Sequence, residues 1–333
     1  MHGPLLPRPR IWAEAALQKK TRFTLIGELL VFLIVFSIAY IAQTFLVTVT
    51  TVIWMLGSKN ELMQQLSNIT DLSAVVQSVL ESLPDWVLSV SLFSYVMFGF
   101  AAILYCRKFE KRALATMGLV RGGVLAETVI GAVIGLLLVA AVVGIGVAAK
   151  GFRVGAFSLK TDSIPILLIA VLGHIVEVAS LELLHRGYLA TSLGTRVPVA
   201  MTVFFSSLIP TMFNSGLSAF SMLGFINSLL LSILLTIYMI KRGSLWGVCG
   251  MHAMWNIGLY ILCDFIMDGS AGELSVLPVF VVPSNAVLTG GKLGPEASIC
   301  TTIALLAAIA AILALKAKDP APPEPAPEPG IAA

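Results

Sequence analysis

The stretch "ILLIAVLGHIVEVASLELLHRGYLA", residues 166–190, decides the fold. At a rise of about 1.5 Å per residue it makes a helix about 37 Å long, enough to cross a hydrocarbon core of about 30 Å. Yet it carries His174, Glu177, Glu182, His185 and Arg186. Polar and charged groups at that depth are costly, so the stretch reads both as a membrane span and as a candidate site.

The rest of the chain repeats the apolar theme. Of its 333 residues, 58% are hydrophobic and only 12% charged, and the mean hydropathy of +0.95 excludes an ordinary soluble domain. Further apolar runs lie at 25–50, 86–106, 124–148, 198–214, 219–240, 245–265 and 298–316. With 166–190 they predict an all-α, polytopic membrane helix bundle of about eight transmembrane spans. An even number of spans leaves both termini on one side, and 16 of the 21 Lys and Arg residues then fall on that side. Basic loops are retained in the cytoplasm, so both termini are expected there, in a multi-pass protein of the cell membrane. The first run is too long for a signal-peptide core and reads as a retained anchor.

The net charge of +3 follows from the same loop bias, and no basic stripe with interleaved aromatics points to nucleic acid. The expected partners are the lipid bilayer and, through the polar site, a membrane-associated peptide or protein. Cys106, Cys249, Cys263 and Cys300 have no metal-like spacing and read as small buried hydrophobes.

The chain divides into a basic segment at 1–22, three spans over 23–150, a polar core at 151–265, a loop and last span at 266–316, and a Pro-rich tail at 317–333 that should be disordered. Within the second unit, 57–85 has apolar residues at helical spacing and reads as an external amphipathic segment. No internal repeat of the kind found in secondary transporters is present.

The polar core breaks the apolar pattern in three places: the 166–190 run, Pro210 with Asn214, and "GSLWGVCGMHAMWNIGLY", where His252 and Asn256 are one turn apart on one helix face. Together, Glu182 to Leu189 ("ELLHRGYL") and "KRGSLWGVCGMHAMWN" resemble the CPBP family of membrane proteins, which contains the CAAX prenyl endopeptidases. The resemblance covers roughly 160–265. It implies an intramembrane metalloprotease in which a glutamate-activated water attacks a peptide carbonyl, with histidines binding that water or a metal such as Zn2+. On the matching positions it implies Glu182, Arg186, His252 and Asn256 as catalytic residues, with His252 the candidate metal ligand.

Three family positions differ here. The leading glutamate of the first motif is Leu181, and the Phe and His of the second are Pro210 and Asn214. Leucine cannot activate water, and an amide is a poor base and a weak metal ligand. Glu177, His185 and Asn214 are the possible substitutes. His174, Glu177, Leu181 and His185 share one helical stripe about 80° wide, and Glu182 with His185 forms a Glu-x-x-His step.

Plainer roles stand beside these. Arg186 either snorkels to the interface or pairs with Glu182. His174 is expected as a core histidine bonded to a backbone carbonyl, Trp246 as an interface anchor, Trp255 as a packing residue, and Asn214 as a link between helices. The functional expectation is an intramembrane endopeptidase. Its rivals are a non-catalytic scaffold that binds partners and, third, a carrier of metal or small solutes along His174, Glu177, Glu182 and His185.

Overall fold

The computed structural model describes residues 5–21, 23–58, 79, 82–214, 221–263, 265–266, 276–282 and 285–318. Most of the amphipathic segment expected at 57–85 and nearly all of the tail expected at 317–333 lie outside the described residues, as does the side chain of Asn214.

In chain order the helices are α1 (Arg10–Gln18), α2 (Leu25–Gly57), α3 (Asp85–Ser94), α4 (Val96–Lys108), α5 (Val124–Ala148), α6 (Ile164–Glu182), α7 (Thr191–Gly194), α8 (Val199–Asn214), α9 (Met222–Arg242), α10 (Leu245–Ile257), α11 (Ala286–Thr289) and α12 (Ile299–Ala314). Stacked in the membrane direction they form an all-α polytopic bundle. Six segments are long and apolar enough to cross a bilayer: Leu25–Gly57, Trp86–Lys108, Val124–Ala148, Thr161–Gly194, Met222–Arg242 and Leu245–Leu262. The expected spans at 198–214 and 298–316 are the shorter apolar helices Val199–Phe213 and Ile299–Ala314. At 16 residues, α12 is about 24 Å long, below the usual spanning length.

The closest helix crossing is α5 on α10, and small residues make it possible. A Cβ on Gly131 would lie 1.9 Å from the Gly247 carbonyl oxygen, and one on Gly250 would lie 2.2 Å from that of Thr128. Between apolar helices in lipid, such backbone approach is a main source of association.

Both described ends of the chain meet at one face of the bundle. Arg10 and Glu14 of α1 share a surface cavity with Glu127, Arg242 and Lys318, and Glu127 accepts from Arg242 (2.8 Å) and Lys318 (2.6 Å). Trp12 is fully buried against Gly194. At the same face, Glu110 binds Lys19 (2.9 Å) and Arg112 (2.5 Å), and Lys19 also reaches Glu28. Burial alone would push the Glu110 carboxyl up, but Arg112 and Lys19 override it and hold the group below its ordinary 4.5.

The opposite end carries a small sheet that hydropathy alone did not suggest. Strand β1 (Phe152–Val154) pairs antiparallel with β3 (Val279–Val281), and β2 (Phe265–Ile266) pairs parallel with β3. It ties the end of α5 to the segment leading into α11 and α12.

Candidate active site

The helix that opened the sequence reading changes pitch in its middle. After α6, residues Leu183–Ala190 wind as a π-helix, then α7 resumes the tighter turn. Wider turns misalign backbone groups and are frequent at functional sites. Here the Arg112 guanidinium, entering from the loop after α4, donates to the carbonyls of Gly187 (3.1 Å) and Tyr188 (3.5 Å). Gly187 lets that loop approach, since a Cβ there would press on the Met117 carbonyl oxygen at 3.2 Å.

At the start of the widened turn, Glu182 and Arg186 are enclosed and paired. Oε1 of Glu182 accepts from Arg186 Nη1 at 3.0 Å and faces Nδ1 of His252 at 2.7 Å. The other Arg186 nitrogen, Nη2, donates to the backbone carbonyl (2.9 Å) and hydroxyl (2.7 Å) of Ser232 on α9. Arg186 is therefore an ion-pair partner bonded inward, not a snorkelling side chain. Because a paired carboxylate only accepts, Nδ1 of His252 carries the proton, which fixes the ring with its opposite edge toward open space.

That space is a cavity of about 240 Å³ bounded by α6, α8, α9, α10 and the turn Pro295–Ala297. His252 and Asn256 line it from α10, His185 and Arg186 from the widened turn, and Tyr260 from the end of the α10 segment. Leu181 and Pro210, two of the departures from the resembled motifs, line it as well. Glu182 itself has no exposed surface and stands behind His252.

The remaining sequence candidates separate. Glu177 and His174 bind each other, Glu177 Oε2 lying 2.9 Å from His174 Nδ1. His174 thus contacts a carboxylate rather than the expected carbonyl, and its ring stacks on Tyr260 with centroids 6.0 Å apart. His185 is buried next to Phe32, and its Nε2 has no hydrogen-bond partner. Asn214 closes α8, one turn beyond Pro210. Trp246 bonds the Val120 carbonyl at 2.8 Å. The four residues of the carrier path therefore separate: His174 binds Glu177, Glu182 binds Arg186 and His252, and His185 Nε2 bonds none of them.

A zinc site would need three or four converging donors. Among the described residues no three His, Cys, Asp or Glu side chains converge in that way, and the Nδ1 edge of His252 is taken by Glu182. The donor set of the described residues does not fit zinc.

Sequence reasoning did not find Ser232, Tyr260 or Glu296. Glu296 comes from the segment before α12 and receives Trp255 Nε1 (3.3 Å) on Oε1 and the Tyr260 hydroxyl on Oε2. Its one sequence signal is isolation: no other acidic residue occurs between Glu273 and Asp319.

Residues 160–258 match the family described as Type II CAAX prenyl endopeptidase Rce1-like. No curated protein and no solved structure matches the chain. The match spans α6 through α10, the helices that hold Glu182, Arg186, His252 and Asn256. Over those residues, 99 of its 333, the chain is similar to the Rce1-like family, consistent with the resemblance of its motifs to the CPBP family.

Proposed function

We propose that this protein is an intramembrane endopeptidase that cleaves membrane-associated peptides or proteins, working in the cell membrane with both termini in the cytoplasm. The observation that carries the reading is the contact at Glu182 Oε1, where Arg186 and His252 converge. Arg186 cancels the charge of Glu182, and the pair holds His252 by Nδ1 so that its other nitrogen meets the substrate. With both ring nitrogens protonated, Nε2–H donates to the scissile carbonyl oxygen, and the Asn256 amide is the second donor. Such donors are worth most where bulk water is excluded, as between these helices. Glu182 and Arg186 act as positioning residues, since neither Glu182 oxygen is exposed.

A second reading, a scaffold that binds partners and no longer cuts, is favoured by Leu181, which puts an alkyl group on the cavity wall where the resembled motif has glutamate. Purified protein incubated in detergent micelles with a library of membrane-tethered peptides separates the two, with mass spectrometry of products and parallel zinc and chelator arms. Endopeptidase function predicts cleavage that His252→Ala abolishes and chelator leaves unchanged. A folded wild type that leaves every peptide intact would favour the scaffold.

A further inference from the structure

Four carboxylates of this bundle come with Lys or Arg partners, and Glu177 has His174. Glu28 has Lys19, Glu110 has Lys19 and Arg112, Glu127 has Arg242 and Lys318, and Glu182 has Arg186. Among the described side chains Glu296 has no Lys or Arg partner. Its two oxygens receive only the neutral donors of Trp255 and Tyr260, and it is the one carboxylate among the described residues lining the cavity that also holds His252 and Asn256.

Its position is not left to a loose loop. The buried Asn227 of α9 donates through Nδ2 to the Glu296 carbonyl (2.7 Å) and the Ser298 carbonyl (2.8 Å), while its Oδ1 accepts from Thr302 at 2.6 Å. Thr301 adds a bond to the Pro295 carbonyl at 2.7 Å. Three of these hydrogen bonds hold the backbone carbonyls at and around Glu296 to α9 and α12, and the fourth fixes Asn227. Glu296 is half-buried, and its carboxylate is held at the cavity by Trp255 and Tyr260.

We propose that Glu296 is the catalytic residue that activates water in this cavity. The inference rests on the endopeptidase reading and adds the group that reading lacks. Glu296 takes a proton from water as the oxygen forms a bond to the peptide carbonyl carbon. The displaced π pair moves onto the carbonyl oxygen, held by His252 and Asn256. The C–N bond then breaks, and the departing nitrogen receives the proton from Glu296. Peptide and water become a carboxylic acid and an amine, with Glu296 restored.

The test measures kcat, KM and melting temperature for wild type, Glu296→Gln and Glu296→Asp on a peptide the wild type cleaves. Gln keeps the shape and an acceptor for Tyr260 and Trp255 but cannot hold the water proton. The expected result is a fall in kcat of about a hundredfold or more for Gln, partial activity for Asp, and KM and melting temperature near wild type. Unchanged kcat in Glu296→Gln, or a loss lying wholly in KM or melting temperature, would overturn the role of Glu296 and leave the endopeptidase reading intact. A folded wild type that cleaves no peptide in the library would overturn both.

Discussion

Replacing Glu182 by Leu removes, in one step, the counter-charge of Arg186 and the acceptor of His252 Nδ1. The two side chains of the ion pair are 0% and 3% exposed, and breaking such a pair from one side costs about 3–5 kcal/mol. Arg186→Met should cost a similar amount, because Glu182 is left charged and Ser232 loses both bonds from Nη2. The double variant has no uncompensated charge. What remains is the unbonded His252 nitrogen and the Ser232 acceptors, worth about 1–3 kcal/mol each at most. Two independent losses would sum to about 6–10 kcal/mol, so the double variant should be more stable than that sum by more than about 0.5 and up to about 3 kcal/mol, the coupling of groups in contact. Unfolding of all four proteins in one detergent buffer reads the cycle. Additivity within about 0.5 kcal/mol would refute the claim that the pair is a single buried unit.

Gly131→Ala should separate α5 from α10, because the new Cβ would meet the Gly247 carbonyl oxygen at 1.9 Å. A cost of about 1–3 kcal/mol should appear as a lower melting temperature, whereas Gly144→Ala, with open space around it, should leave the temperature unchanged. Glu110 supplies a pH dependence of known sign. Its folded carboxyl titrates below 4.5, so its contribution to stability is fully present above that value and is lost as pH falls through the lower, folded one. Between pH 5 and pH 3, Glu110→Gln should therefore lose less stability than wild type in a melting series, and equal slopes would contradict the pairing with Arg112 and Lys19.

The bundle was legible in the sequence because lipid enforces it: uninterrupted apolar runs can only be helices, and the runs at 25–50, 124–148 and 245–265 correspond to α2, α5 and α10 with its extension. The resemblance assigned Glu182 and His252 to one site, and the two side chains are in contact. What sequence could not carry was the change of pitch at Leu183–Ala190, which depends on Arg112, some 75 residues away in the chain. For the same reason the fate of Arg186 stayed open between snorkelling and pairing until Ser232 was placed beside it. The stripe from His174 to His185 assumed one regular helix, and the π-helix divides it, leaving Leu181 and His185 on the cavity wall and His174 paired with Glu177. Glu296 stayed hidden because it sits in a short turn whose approach to α10 is set by Asn227, a tertiary contact without a local pattern.

The most direct measurement of the central claim is made in water labelled with heavy oxygen, with purified protein, a membrane-tethered peptide and mass spectrometry of the fragments. An endopeptidase built on Glu182, Arg186 and His252 predicts a new carboxyl terminus bearing one heavy oxygen, formed by wild type and not by a folded His252→Ala variant. Intact peptide with folded wild type, or equal label incorporation by the two proteins, would contradict the account.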